Sequence, residues 1–389
     1  MSDNTGANAN SNGAGMPRRE FLQTSALGVV GWAMPNLMSA AGNSGKSCIL
    51  VFNGGGLSHL DSWDPKPDAP REIRSPFGAI PTRGDFQISS LFPQHASVAD
   101  KFSIVRSVFH RAAALHDVGS QLTQTGRLNS GGVRFPHVGC VIDFLTRGSS
   151  EVPAHVLLGG SIAPPGEADS YGQDAGFLGS RFAPSTPTSQ GRLREAIELG
   201  KESMRTRERY GMHRLGQRFL VARRLIERGV RFVTLNTSSF VSGETTWDIH
   251  GGRPYGTIEE MRSGLAPMYD QACSALVEEL AQRGLLDSTL VAALSEFGRT
   301  PLINADGGRE HWSECWSVCF AGGGVKGGRA IGRSDEIGSA PVECPVEPRN
   351  IMATIYKALG VDRGTMLPGP DGVAVPVVDP GTRAIEELF

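Results

Sequence analysis

The sequence predicts an α/β fold, a mostly parallel sheet covered by helices on both faces. Two observations lead there. Short, β-branched apolar runs recur between turn residues, without the polar alternation of a strand that faces water. Between them, apolar residues recur at helical spacing, and strand–helix alternation is the pattern of a parallel sheet. The runs 47–53 (SCILVFN), 102–108 (FSIVRSV), 231–236 (RFVTLN) and 289–295 (TLVAALS) read as strands, with 316–321 as a fifth. A helix is expected to open near Asp117, after the second strand. Leu215, Phe219, Ala222 and Ile226 mark the next helix, with Gly229 positioned to end it. Ile258, Met261, Leu265, Met268, Ala272, Leu276 and Leu280 predict one long helix, kinked at Pro267 and ended by Gly284. A last helix is expected from Asn350 to Leu359, stopped by Gly360. Residues 159–190, rich in Gly, Ser and Pro and without periodicity, read as a long surface excursion.

Of 389 residues, 20% are charged and 39% hydrophobic, which is ordinary globular usage. The net charge of −2 removes the electrostatic case for nucleic acid or an anionic membrane as partner. Fifty glycines and 24 prolines imply many tight turns and close backbone approaches. Residues 1–45 stand apart from this body. They begin with a low-charge tail that cannot form a core, followed by Pro17-Arg18-Arg19-Glu20-Phe21-Leu22, an apolar run from Ala26 to Met34, and Ser39-Ala40-Ala41. Paired arginines, a short apolar stretch and a small-residue site make a twin-arginine export signal, so the expected partner of the precursor is that export machinery. The mature protein is expected in the periplasm or outside the cell, as one domain over 46–389. No stretch reaches the ~20 apolar residues a membrane span needs. The six cysteines form no C-x-x-C pair, and Cys315 and Cys319 read as buried free thiols. Nine arginines between 205 and 231 fall largely off the apolar stripe and read as a solvated helix face.

Ligands of open α/β sheets bind beyond the carboxyl ends of the strands. Polar clusters gather there. Asn53-Gly54-Gly55-Gly56-Leu57-Ser58-His59-Leu60-Asp61 follows the first strand, and His110, His116 and Asp117 follow the second. The third leads to Trp247-Asp248-Ile249-His250-Gly251 and the fourth to Ser295-Glu296-Phe297-Gly298-Arg299, while Arg309-Glu310-His311-Trp312 precedes the fifth. An Asp and a His two apart in a non-helical turn can face one cation. Five such clusters at successive strand ends point to a metal or anion site.

With the twin-arginine start, these motifs resemble the exported "domain of unknown function 1501" family, which is similar to the sulfatase and alkaline phosphatase superfamily. The resemblance runs over residues 17–389 and implies an alkaline-phosphatase-like fold and metal-dependent hydrolysis of phosphate or sulfate esters, small or glycan-borne. It implies that Asp248, His250 and His311 bind the metal, with Glu296 or Asp61 completing the set. Glu296-Phe297 stands where sulfatase-like enzymes carry Asp-His, so Phe297 removes one imidazole, which argues for a single divalent ion, Zn, Ca, Mg or Mn. Thr125-Gly126-Arg127 resembles the end of the nucleophile helix, and counting back to its start reaches His116 instead of a hydroxyl or thiol. His116 is then the expected reacting group, as nucleophile or acid–base, unless an activated water attacks directly. Arg299 is placed with it at the reaction, and Arg299 and Arg127 would clamp substrate oxygens, because a guanidinium fork suits a tetrahedral oxyanion. His59 would also contact substrate. The alternative is a non-catalytic exported protein that keeps the site to bind metal or glycan. A redox protein is disfavoured, since no redox cofactor motif occurs.

Overall fold

A computed structural model describes residues 45–146, 152–163, 171–187, 191–237, 246–252 and 254–389. The export-signal residues lie outside them. Seven strands form the central sheet: β1 (Ser47–Phe52), β2 (Phe102–Val108), β3 (His155–Leu158), β4 (Phe232–Asn236), β5 (Thr289–Leu294), β6 (Trp316–Ala321) and β7 (Arg329–Ile331). Their order across the sheet is β7-β2-β6-β5-β1-β4-β3. β1 pairs in parallel with β4 and β5, β3 with β4, and β7 with β2; only β6 runs against its neighbours, β2 and β5. The sheet is therefore mostly parallel, as the sequence predicts. β3 and β7 are additions that the apolar runs do not announce.

All six residues of β1 are buried, which is why its sequence is continuously apolar rather than alternating. Ile49 and Val51 join one core with Phe219, Leu225, Ala272 and Leu276, from the helices α4 (Arg214–Glu227) and α5 (Leu265–Gln282). Cys48, Leu50 and Phe52 join the other, with Val138, Val141 and Ile142 of α3 (Val138–Thr146) and Ile351, Met352 and Ile355 of α6 (Pro348–Leu359). α1 (Pro93–Val98) packs on the first side, and α2 (His116–Thr125) follows β2. Helices cover both faces.

Three local expectations change. The long helix is two, Ile258–Ser263 and α5, and the break lies at Gly264 (φ −118°, ψ −106°). Pro267 sits in the first turn of α5, where no intrahelical donor is lost. The arginines at 223 and 224 are buried rather than solvated. Arg223 meets Glu227 at 2.6 Å, Glu202 at 3.0 Å and Glu279 at 3.3 Å, and Arg224 donates to the carbonyls of Ala196 and Glu195. All six cysteines are free; Cys315 and Cys319 are buried and Cys344 is exposed. Within the described part of 159–190 the regular structure is two single 3₁₀ turns, Gly176–Leu178 and Ser180–Phe182.

Candidate metal centre

At the carboxyl end of β5, Ser295 ties two strand ends together. Its hydroxyl donates to the Asn53 carbonyl at 3.0 Å and accepts from Leu57 N–H at 2.9 Å. Glu296 follows, 1% exposed, and accepts from Gly55 N–H at 2.7 Å. Gly55 has φ +107°, and a Cβ there would stand 2.7 Å from the backbone nitrogen of Asp248. Only glycine lets the first loop cross so close under the third. Trp247 anchors that third loop. It is fully buried, its indole N–H donates to Thr237 Oγ1 at 3.1 Å, and its ring meets Tyr269 of α5 edge-on at 5.5 Å.

α2 opens at His116 and lies tight on Glu296: a Cβ on Gly119 would come within 2.6 Å of the Glu296 carbonyl. His311 arrives from the opposite chain direction. Because β6 is antiparallel, the residues ahead of it lie at the carboxyl ends of β1 and β5. Two short antiparallel strands, Gly298–Arg299 and His311–Trp312, pair Arg299 with His311 there. The antiparallel strand thus delivers the fifth polar cluster to the same place as the other four.

Asp248 stands at the centre. His250 Nε2 is 3.0 Å and His311 Nε2 3.4 Å from its Oδ1, while His116 Nε2 is 3.5 Å from its Oδ2. His250 Nε2 and His311 Nε2 are 2.9 Å apart. The far side of each imidazole is committed. His116 Nδ1 meets Glu296 Oε1 at 2.8 Å, His311 Nδ1 meets the Ala114 carbonyl at 2.9 Å, and His250 Nδ1 meets Glu310. Each of these acceptors requires a proton on Nδ1, so each neutral ring turns an Nε2 lone pair inward. His116, Asp248 and His311 each bring a ligand atom within 4.8 Å of the other two. The three imidazole side chains are 18–20% exposed, so the group opens to solvent on one side.

Charge is balanced tightly. Burial pushes the Asp248 carboxyl up, but hydrogen bonds from His116 and His311 and the Arg299 guanidinium outweigh it and hold Asp248 well below the ordinary carboxylate range. Burial opposes a charge on His116, yet its bonds to Asp248 and Glu296 prevail and raise it to about 9. Burial lowers His311, with Asp248 opposing and Arg299 assisting.

The other expected residues stand elsewhere. Asp61 is buried in an ion pair with Arg309 (2.8 Å) and accepts from Ser58 Oγ at 2.5 Å, so its carboxylate is occupied away from the imidazoles. Arg299 is fully buried and holds Asp248 at 2.6 Å, the Gly56 carbonyl at 3.0 Å and the Arg309 carbonyl at 2.9 Å. A guanidinium so occupied orients Asp248 and cannot clamp a substrate. His59 is buried, with Nε2 2.8 Å from the Gly338 carbonyl. Arg127, at the far end of α2, pairs with Asp379 at 2.8 Å. Glu296 backs His116 instead of joining the inward-facing donors, and His116 Nε2 takes that place. Glu310 and Asn304 were not singled out by the sequence. Asn304 donates to Glu310 Oε1 at 2.8 Å and to the His250 carbonyl at 2.7 Å, fixing the carboxylate behind His250. The signal was adjacency to His311, which alone marks nothing.

A second ligand-type group, His137, Cys140 and His155, is fully buried. Gly139 N–H donates to His137 Nδ1 at 2.8 Å, so His137 Nε2 carries its proton towards Thr234 Oγ1, 3.5 Å away. The Thr234 hydroxyl can then donate to His155 Nε2 at 2.9 Å, and His155 Nδ1–H faces Cys140 Sγ at 3.5 Å. Burial drives His137 down to about 3 and His155 well below its ordinary value. The chain of hydrogen bonds closes with both rings neutral and no nitrogen lone pair left over.

The family described as "Protein of unknown function (DUF1501)" matches residues 45–192 and 185–389. No curated protein matches the chain. Solved structures similar to it include a phosphonate monoester hydrolase of Agrobacterium radiobacter, with 11% identity over 88% of this chain and 77% of that one, TM-score 0.44. A lipoteichoic acid synthase of Listeria monocytogenes is 12% identical over 85% and 78% of the two chains, TM-score 0.41. A sulfatase of Pseudoalteromonas sp. is 11% identical over 89% and 72%, TM-score 0.41.

Proposed function

We propose that this chain, which belongs to the DUF1501 family, is an exported hydrolase of phosphate or sulfate esters working with one divalent metal ion held by His116, Asp248, His250 and His311. The observation that carries the reading is the orientation of the three imidazoles. Each Nδ1 is tied to an acceptor, so the three Nε2 atoms converge on one carboxylate; without a metal, protons such as that on His116 must bridge them, and a cation can take the place of those protons. Three nitrogens and one carboxylate suit Zn²⁺ better than Ca²⁺ or Mg²⁺, which prefer oxygen. Such an ion, when bound, supplies Lewis-acid polarisation of an ester oxygen and acidifies water near it.

The chain's own groups do the positioning. Glu296 fixes His116, Glu310 with Asn304 fixes His250, and Arg299 holds Asp248 in its charged form. The N-terminus of α2 brings partial positive charge to the same end of the sheet, which favours an anionic ester. His116 occupies the place where the resemblance expects a side-chain nucleophile, and here its ring faces Asp248, so water is the attacking group in this reading. The export part rests on Arg18 and Arg19 ahead of the short apolar run.

The test is metal analysis of the purified protein followed by a panel of aryl phosphate and sulfate esters. One equivalent of metal and turnover of at least one ester are expected, and Asp248→Ala should lose both, since it removes the shared carboxylate. Full metal with no turnover across the panel would sink the hydrolase and leave a metal-binding protein. Unchanged metal content in Asp248→Ala would overturn the ligand set.

A further inference from the structure

Phe297 is fully buried, yet it belongs to neither of the two apolar cores that flank the sheet. Its neighbours are the polar groups of the centre. The phenyl ring centre lies 4.3 Å from that of His311 and 5.1 Å from that of His116, with planes tilted by 35° and 41°. The two imidazoles stand 4.5 Å apart, edge to face. Aromatic pairs usually pack with centres ~4.5–7 Å apart, so these three rings form one close trio. Phe297 also meets Gly56, whose φ is +74° and where a Cβ would stand 2.6 Å from the phenyl Cε2. Glycine at 56 thus lets the first loop press against the ring. The Arg299 guanidinium sits 5.9 Å from the ring centre.

We propose that Phe297 is a positioning residue of the metal centre, whose rigid plane holds the imidazoles of His116 and His311 at the angle their Nε2 atoms need to share one ion. The inference rests on the ligand set proposed above and not on ester hydrolysis. The hydrogen bonds from Nδ1, to Glu296 for His116 and to the Ala114 carbonyl for His311, fix one point of each ring. A ring held at one point still swings about that bond. A flat wall fixes its plane. Phenyl suits this task because it carries no donor or acceptor, so it offers the imidazole nitrogens no competing partner, and its burial keeps water off that flank. Metal ligation tolerates errors of only about 0.2 Å in ligand distance, so a swinging ring must be immobilised on binding, at a cost in entropy. His250 has Tyr255 beside it instead, 4.7 Å away and 46% exposed. If Phe297 merely filled space, any apolar side chain of similar volume would serve.

The experiment compares the purified protein with Phe297→Leu and Phe297→Met, which keep most of the volume and remove the plane. Zn²⁺ affinity, read by competition with a chelator, should fall about tenfold in both, the lower end of what groups that orient metal ligands are worth. With Co²⁺ in place of Zn²⁺, the visible absorption bands should shift, because they follow the angles among the ligands. In metal-free protein, nitrogen-15 spectra should show His311 as a single Nδ1–H tautomer in the parent and as mixed tautomers in the variants. Thermal melts establish which variants are folded, and either one alone decides the question. Lower stability with unchanged affinity, Co²⁺ bands and His311 tautomer would reduce Phe297 to core filling and overturn the inference. Parent-like behaviour of Phe297→Met in all three would overturn it as well, since volume would then suffice. A parent that binds neither metal would overturn the ligand set and this inference with it, whereas a metal-binding parent with unaltered variants would overturn this inference alone.

Discussion

Two carboxylates stand behind two of the inward-facing imidazoles, and their surroundings differ enough to predict different effects. Glu296 is 1% exposed, receives the Gly55 N–H, and bonds His116 at 2.8 Å. Glu310 is 55% exposed, and only Asn304 steadies it behind His250. Partners of this kind are worth about 10–100-fold in metal affinity, or ~1.4–2.7 kcal/mol. For Glu310→Gln the charge is already screened by water and an acceptor oxygen survives, so the loss should sit near tenfold or below. For Glu296→Gln the charge removed is buried, and Oε1, which accepts both the Gly55 N–H and His116 Nδ1, becomes a weaker, neutral acceptor for both, so the loss should approach a hundredfold. The assay is Zn²⁺ competition against a chromophoric chelator at fixed pH, with thermal unfolding as the check on folding. A larger loss in Glu310→Gln than in Glu296→Gln, or no loss in either, would refute the view that these carboxylates aim the imidazoles.

Away from the centre, His95 is buried against Asp270 at 2.7 Å. Burial opposes its charge, but the bond to Asp270 prevails and raises it to about 10. A raised histidine stabilises the fold fully below its unfolded value near ~6.5 and loses that contribution as pH climbs through about 10. Urea unfolding at pH 6, 8 and 11 should therefore show His95→Gln losing most relative to the parent at pH 6 and converging with it at pH 11. Arg223→Ala should cost roughly 3–5 kcal/mol by stranding Glu202, Glu227 and Glu279, and an unchanged denaturation midpoint would count against that cluster. Replacing Arg18 and Arg19 by Lys should leave the precursor in the cytoplasm, and cell fractionation showing normal export would end the twin-arginine reading.

What the sequence revealed of the fold follows burial. β1 and β5 are covered on both faces and are long enough for their apolar runs to stand out, whereas β3, with four residues, and β7, with three, are too short to register. The reversal of β6 is not written in its composition. Parallel and antiparallel strands buried on both sides read alike. At the site, Asp248, His250 and His311 were legible because each motif sits at a strand end. Asp61 looked equally suited, and only the fold shows that Arg309, 248 residues away, takes it. The same holds for Arg299, whose fixed charge reads as a substrate clamp until burial makes it a holder of Asp248. His116 was found, but its part changed, because the sequence cannot tell which way an imidazole points.

The strand order also fixes a timetable for the newborn chain. β1 is among the first pieces of the domain to be made, yet its partner across the Ser47–Thr289 register lies 242 residues downstream. At ~5–20 residues per second of synthesis, β1 waits roughly 12–50 s for β5. β2 waits almost as long for β6, whose Trp316 pairs with Val108. Until β4 is made β1 has no neighbour, and β2 has none until β6, so apolar strands stay exposed for much of synthesis and a holding chaperone is the natural companion of the half-made chain. His311 is made after β5, so the imidazoles come together only when the sheet closes. Metal loading should follow folding, and a pulse of radioactive zinc would label completed chains but not ribosome-bound ones.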